Sequence, residues 1–175
     1  MGKIKRNAII SSLVAISVVI HTAEMFIPSP FPWLRFGFAN IIALIAIVLY
    51  GLRVGLMVTI VRVFLGTVLV GTFLTPAFFL GMGGGIGSTL VMGCAYRKLH
   101  PLFSLVGISV MGAYSHNIIQ LTIVYILFIR RAEVFYILPF LLLFGIVTGI
   151  VNGLAATYLT AHVKRFSFVQ IDSTS

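Results

Sequence analysis

Six apolar runs, separated by short polar or proline-rich breaks, leave this chain few ways to fold. They cover residues 8–27, 38–52, 55–74, 77–95, 102–129 and 135–161. A helix needs about 20 apolar residues to cross the hydrocarbon of a bilayer. Most of these runs reach that length, and 38–52 is short. Strands of a membrane barrel would instead alternate in polarity over roughly ten residues, whereas these runs are continuous. Of 175 residues, 60% are hydrophobic and 9% charged, against roughly 45–50% and 25% in soluble domains. Polar groups are too few to cover such a surface in water, so the solvent is lipid. The reading is an all-α polytopic membrane protein: a six-helix transmembrane bundle in one domain over 1–165, with a polar tail at 166–175.

The breaks set the order of the helices. Lys3, Lys5 and Arg6 precede the first run like a signal peptide, but no small-residue cleavage site ends it, so it is read as retained. A proline-rich loop carrying Trp33 and Arg35 follows, then a tight turn at 51–55 and a break at Thr75-Pro76. The run 102–129 is too long for an upright helix and is expected to tilt or become irregular near Gly107 or Gly112. Pro139 falls near the start of the last run, where proline is tolerated. With the N-terminus inside, Lys3, Lys5, Arg6, Arg53, Arg97, Lys98, Lys164 and Arg165 are cytoplasmic, eight against the three outside, Arg35, Arg130 and Arg131. Basic residues favour the inner side, so both termini are placed in the cytoplasm of a bacterial-type cell membrane. The net charge of +9 is thereby a matter of orientation, and nucleic acid is not an expected partner.

Glycines are clustered as Gly81, Gly83, Gly84, Gly85 and Gly87, but the spacing is neither a dinucleotide fingerprint nor a Walker A loop. Small residues four apart let membrane helices approach closely, which fits this run and the stripe Gly145, Gly149, Gly153; a substrate-facing wall at 83–85 is the alternative. Ala8, Ser11, Ser12 and Ala15 form another small-residue face, to be packed on a second span or on a partner protein. The single cysteine, Cys94, rules out an intrachain disulfide framework and is read as a small buried hydrophobe.

Polar groups within the spans carry the functional signal, because an ionised group at mid-bilayer costs about 3 kcal/mol or far more. They are His21 and Glu24, Asn40, Arg62, His116, Asn117, Gln120 and Asn152, and they are expected to face one interior space. Arg62 either pairs with Glu24, the one acid in any span, or binds an anion. His116 has no second ligand at metal spacing and is read as a hydrogen-bonding group; no metal or cofactor is expected. Asn117, Gln120 and Asn152 serve either as bonds between helices or as ligand contacts. Trp33, Arg35, Arg130 and Arg131 are interfacial anchors or a gate for an anion. Glu24, Glu133 and Asp172 are the only acids, too scattered for the clustered carboxylates of magnesium-dependent diphosphate chemistry. Without a phosphate-binding loop the chain does not hydrolyse ATP. An enzyme is not expected.

The segments Leu34-Arg-Phe-Gly-Phe-Ala-Asn-Ile-Ile, Arg62-Val-Phe-Leu-Gly, Gly71-Thr-Phe-Leu-Thr-Pro, Gly83-Gly-Gly and Gly107-Ile-Ser-Val-Met-Gly-Ala-Tyr-Ser-His-Asn-Ile-Ile-Gln together resemble the Gx transporter family, also called heptaprenyl diphosphate synthase component I, over about residues 8–160. That family is grouped with the S components of energy-coupling factor (ECF) transporters. The resemblance implies a six-helix subunit that binds a small molecule from outside and associates with a membrane coupling protein and two ATPases. It implies a site drawn from Trp33, Arg35, Asn40, His116, Asn117, Gln120 and Asn152, to which the residue reading adds Arg62. The partner-contact face is Ala8, Ser11, Ser12 and Ala15. The excess of interior arginine and histidine over acid suggests an anionic ligand; an isoprenoid- or vitamin-like molecule fits the family. The alternative is a non-catalytic membrane subunit of heptaprenyl diphosphate synthase.

Overall fold

The computed structural model describes residues 3–27, 37–100 and 102–172. Six α-helices account for most of them: α1 Lys3–Glu24, α2 Ala39–Tyr50, α3 Leu52–Val70, α4 Pro76–Leu99, α5 Leu105–Val124 and α6 Leu138–Asp172. Five are long and apolar enough to cross a membrane, and the chain is a multi-pass membrane protein. Leu69, Leu143, Val147, Leu154 and many other large apolar side chains cover its outside. In water that surface would be an aggregation liability; in a bilayer it meets lipid.

The sixth helix differs. At 12 residues and 1.5 Å per residue, α2 is only about 18 Å long, against a hydrocarbon thickness of about 30 Å. It packs against α1, α3, α4 and α6, and Ala39, Asn40 and every residue from Ile42 to Ile47 are buried. A helix that is apolar all round belongs in an interior. The short run in the sequence is thus the axis of the bundle. The larger apolar cluster, including Leu13, Leu44, Val58, Met92 and Ile108, is built around it.

One glycine connects α2 to α3. Gly51 has φ 88° and ψ 173°, a region that is essentially glycine-only and costs other residues on the order of 1–3 kcal/mol. A Cβ there would meet nothing within 4 Å, so the backbone alone imposes the requirement. Gly51→Ala is therefore expected to lower stability by about 1–3 kcal/mol, measured by unfolding in detergent. Pro76 sits at the first turn of α4 and Pro139 in that of α6, where a missing N–H leaves no bond unmade.

Three local features depart from the sequence reading. The helix beginning α5 starts at Leu105, because the Ser104 side chain caps it by accepting from the Gly107 N–H at 3.4 Å. The irregularity expected near Gly107 or Gly112 lies instead at the far end, where a π-helical turn at Tyr125–Ile129 closes on Arg130 at φ 50°. Finally, the backbone of α6 stays helical to Asp172, well past the end of its apolar run.

The glycine stripes bring helices together. Added Cβ atoms at Gly149 and Gly153 would lie 2.7 Å and 2.5 Å from the Cα atoms of Val110 and Val106 on α5. On α4, Gly83 and Gly87 face Ile123 and Ile119 of α5, while Gly85 faces Thr59 of α3. The α4 run is a saddle between two neighbours, which is the close-approach role of small residues in membranes. Between α3 and α4 the buried Thr59 and Thr89 hydroxyls also hydrogen-bond at 2.8 Å.

Candidate functional site

The buried polar side chains gather where the end of α1, the start of α2 and the middles of α3 and α5 meet. His21, Glu24, Gly37, Asn40, Arg62 and His116 line one small interior cavity, together with Ala39, Val63 and Gly81. Arg62 is only 3% exposed, and its Nη2 donates to Asn40 Oδ1 at 2.6 Å. Glu24 accepts the Phe38 backbone N–H, which ties the first turn of α2 to the last turn of α1. Arg62 and Glu24, weighed as an ion pair from the sequence, thus face a common space, each also engaged with the start of α2.

Glycines make room for these bulky polar groups. A Cβ on Gly66 would stand 2.6 Å from the His21 ring, and one on Gly84 would stand 2.8 Å from Gln120 Cγ and 3.0 Å from the His116 ring. Gly37, at φ 72°, lets the chain turn into α2; its carbonyl accepts from Asn152 Nδ2 at 3.1 Å. Asn152 is thereby joined to the wall of the cavity from α6. Its own Oδ1 is buried and lacks a hydrogen-bond partner among the described residues. A buried acceptor left in that condition costs about 1–3 kcal/mol, so it is a place where a ligand donor would be favourable.

The remaining site candidates divide. Asn117 does not line the cavity: its Nδ2 donates to the Leu141 carbonyl of α6 at 2.7 Å. Gln120 lies beside His116 across from Gly84, and its Nε2 reaches the Leu80 carbonyl of α4 at 3.4 Å. Both side chains link helices in this arrangement. Trp33 and Arg35 fall outside the described residues. Arg130 and Arg131 are exposed in the connection before α6. His21 and Glu24, expected from the sequence to face the interior space though not assigned to the ligand, both line it, and Gly37 was not among the sequence candidates. For His21 a signal was present, because it stands one turn before Glu24 and so on the same helical face.

The space enclosed is small, about 10 Å³, close to the least that holds one water. Anything larger is accommodated only if the walls move. Chemically, the cavity gathers a guanidinium, two imidazoles and a carboxamide around one carboxylate, a donor-rich set in a low-dielectric interior where charge-assisted hydrogen bonds are strong.

Two other features bear on binding. Ala8, Ser11, Ser12 and Ala15 are all left exposed among the described residues; Ser12 meets its own hydrogen-bond need by donating to Ala8 O at 3.0 Å. Ser11 and Ala15 line a groove of about 480 Å³ between α1 and α3, with Met57, Val61 and Leu65 on the far wall. Cys94, read from the sequence as buried, is exposed because it sits beside a cavity at the end of α4.

Comparison with known proteins gives two findings. Residues 13–159 match the family described as heptaprenyl diphosphate synthase component I. Among solved structures, the one described as "Structure and mechanism of the S component of a bacterial ECF transporter" has the same fold, with a TM-score of 0.73 at 22% identity, covering 94% of this chain and 98% of that one. No curated protein matches.

Proposed function

This chain belongs to the heptaprenyl diphosphate synthase component I family, and we propose that it is the substrate-binding membrane subunit of a transporter energised by partner ATPases. Its substrate is a small anion, of carboxylate, vitamin or isoprenoid phosphate type. The observation that carries this reading is Arg62: a guanidinium 3% exposed within a bundle, facing the same cavity as Asn40 and His116. The Glu24 carboxylate shares that cavity, so an anion would join a set in which Arg62, Asn40 and the two histidines outnumber the one acid and supply charge-assisted donors. The fold shared with an S component supports the reading. Because the cavity is little larger than a water, substrate entry is coupled to outward movement of its walls.

Purified protein in detergent, screened for thermal stabilisation by small carboxylates, vitamins and isoprenoid phosphates, tests the substrate class. A ligand specific to the folded state contributes about 2.7 kcal/mol at a hundred times its Kd. Failure of every anionic class to stabilise the protein, with a neutral compound succeeding, rejects the anion reading.

The α1 face is the proposed seat of the membrane coupling protein in the cytoplasmic half of a bacterial inner membrane. Ala15→Trp fills the groove without touching the core, since Ala15 is exposed. The expected result is loss of co-purification with the coupling protein and ATPases at an unchanged melting temperature; retained co-purification removes α1 from the interface.

The family's description favours a second reading, a non-catalytic membrane partner of a polyprenyl diphosphate synthase. Co-purification with a soluble aspartate-rich prenyltransferase that gains activity on mixing would establish it. Co-purification with ATPases establishes the first.

A further inference from the structure

A larger cavity opens at the other end of the bundle, where α1 begins. It measures about 840 Å³ and lies between the α2–α3 turn and the last turns of α4. Its rim carries Arg53, Arg97 and Lys98, none of them buried. Its inner wall is apolar: Ile47 and Gly93 are buried, and Leu52 closes one side by filling the space that a side chain at Gly93 would occupy. Tyr50 and Tyr96 also line it, and the His100 ring braces Tyr96 edge-on with centroids 4.6 Å apart. The acids among the described side chains, Glu24 and Glu133, belong to the opposite end of the bundle, so no described carboxylate neutralises the rim.

Three cations over an apolar pocket make a receptor for an amphiphile. A free phosphate is far smaller than the cavity, whose volume falls within the roughly 300–1,000 Å³ of small-molecule sites. A phosphate head would satisfy Arg53, Arg97 and Lys98, arginine through paired N–H donors, and an attached chain would fit the space over Ile47 and Leu52. Basic pockets between membrane helices recognise anionic head groups in this way. We propose that this cavity binds the phosphate-bearing head of an anionic membrane amphiphile, separately from the site around Arg62 and independently of the transport reading.

The test uses the full chain in phosphatidylcholine nanodiscs, titrated with phosphatidylglycerol or with inorganic diphosphate and followed by thermal unfolding. Saturable stabilisation by phosphatidylglycerol is expected, weakened on the order of a hundredfold by R53Q/R97Q/K98Q, at roughly fivefold per cation, and left intact by R130Q/R131Q at the other end. Equal stabilisation by inorganic diphosphate, lost in the same triple variant, identifies a soluble phosphate source and overturns the lipid assignment. Native mass spectrometry of the wild type adds a measurement that needs no variant: phosphatidylglycerol is retained in preference to phosphatidylcholine. Absence of that preference, or a triple variant that responds like the wild type, overturns the proposal.

Discussion

Arg62→Ala is expected to abolish ligand-induced stabilisation. The substitution removes the donor to Asn40 Oδ1 and the positive centre of the cavity. Truncating the cationic side of the proposed Arg62–anion pair costs about 2–5 kcal/mol, which corresponds to a Kd raised roughly thirtyfold to several thousandfold. Arg62→Lys keeps the charge but loses the planar fork, and is expected to fall between wild type and the alanine variant. Thermal unfolding with and without ligand separates binding from structure. A binding Arg62 gives a ligand shift that disappears in the alanine variant; a structural one gives a lower melting temperature and an intact shift.

Gly153→Leu is the second large effect. An ideal Cβ at that position already lies 2.5 Å from the Val106 Cα, 3.1 Å from Ser109 Cβ and 3.2 Å from the Leu105 carbonyl. Backbone has no rotamer by which to withdraw. Overpacking a well-packed site costs about 1–3 kcal/mol, a range that covers Gly153→Ala; leucine forces α5 and α6 apart and is expected to prevent recovery of folded protein. Gly83→Ala is the control. Its close neighbour is Ile123 Cδ1, the mobile end of a side chain, so a loss under about 1 kcal/mol is expected, below the overpacking range. Equilibrium unfolding in mixed detergent measures the two alanine variants, and the yield of folded protein reads out the leucine one. Equal losses in Gly83→Ala and Gly153→Ala would refute the backbone-contact argument.

Much of the fold was legible because lipid imposes a coarse rule on sequence. Long apolar runs had to become helices, and the stripe at Gly145, Gly149 and Gly153 had to face a neighbour. The same rule sends Arg62 inward, since a guanidinium is not stable against hydrocarbon. Partners were less legible. Asn117 and Gln120 donate to carbonyls 24 and 40 residues away, and backbone carbonyls carry no residue-type signal. The placing of Gly37 beside Asn152 likewise depends on how α2 meets α6. Cys94 sits in an apolar stretch, yet its exposure follows from the end of α4 standing apart from the α2–α3 turn. Helix ends also escaped: the π-helical turn after α5 leaves the apolar pattern unchanged, and α6 continues beyond its apolar run, where hydropathy no longer marks a helix.

The central claim is that the space among Arg62, Asn40 and His116 receives a small anion. An experimental density map of the protein saturated with the best stabilising ligand addresses it most directly. Ligand density is expected against the Arg62 guanidinium, with walls displaced outward from the present volume of about 10 Å³. Ligand density elsewhere in the bundle, with this cavity still closed, would contradict the claim.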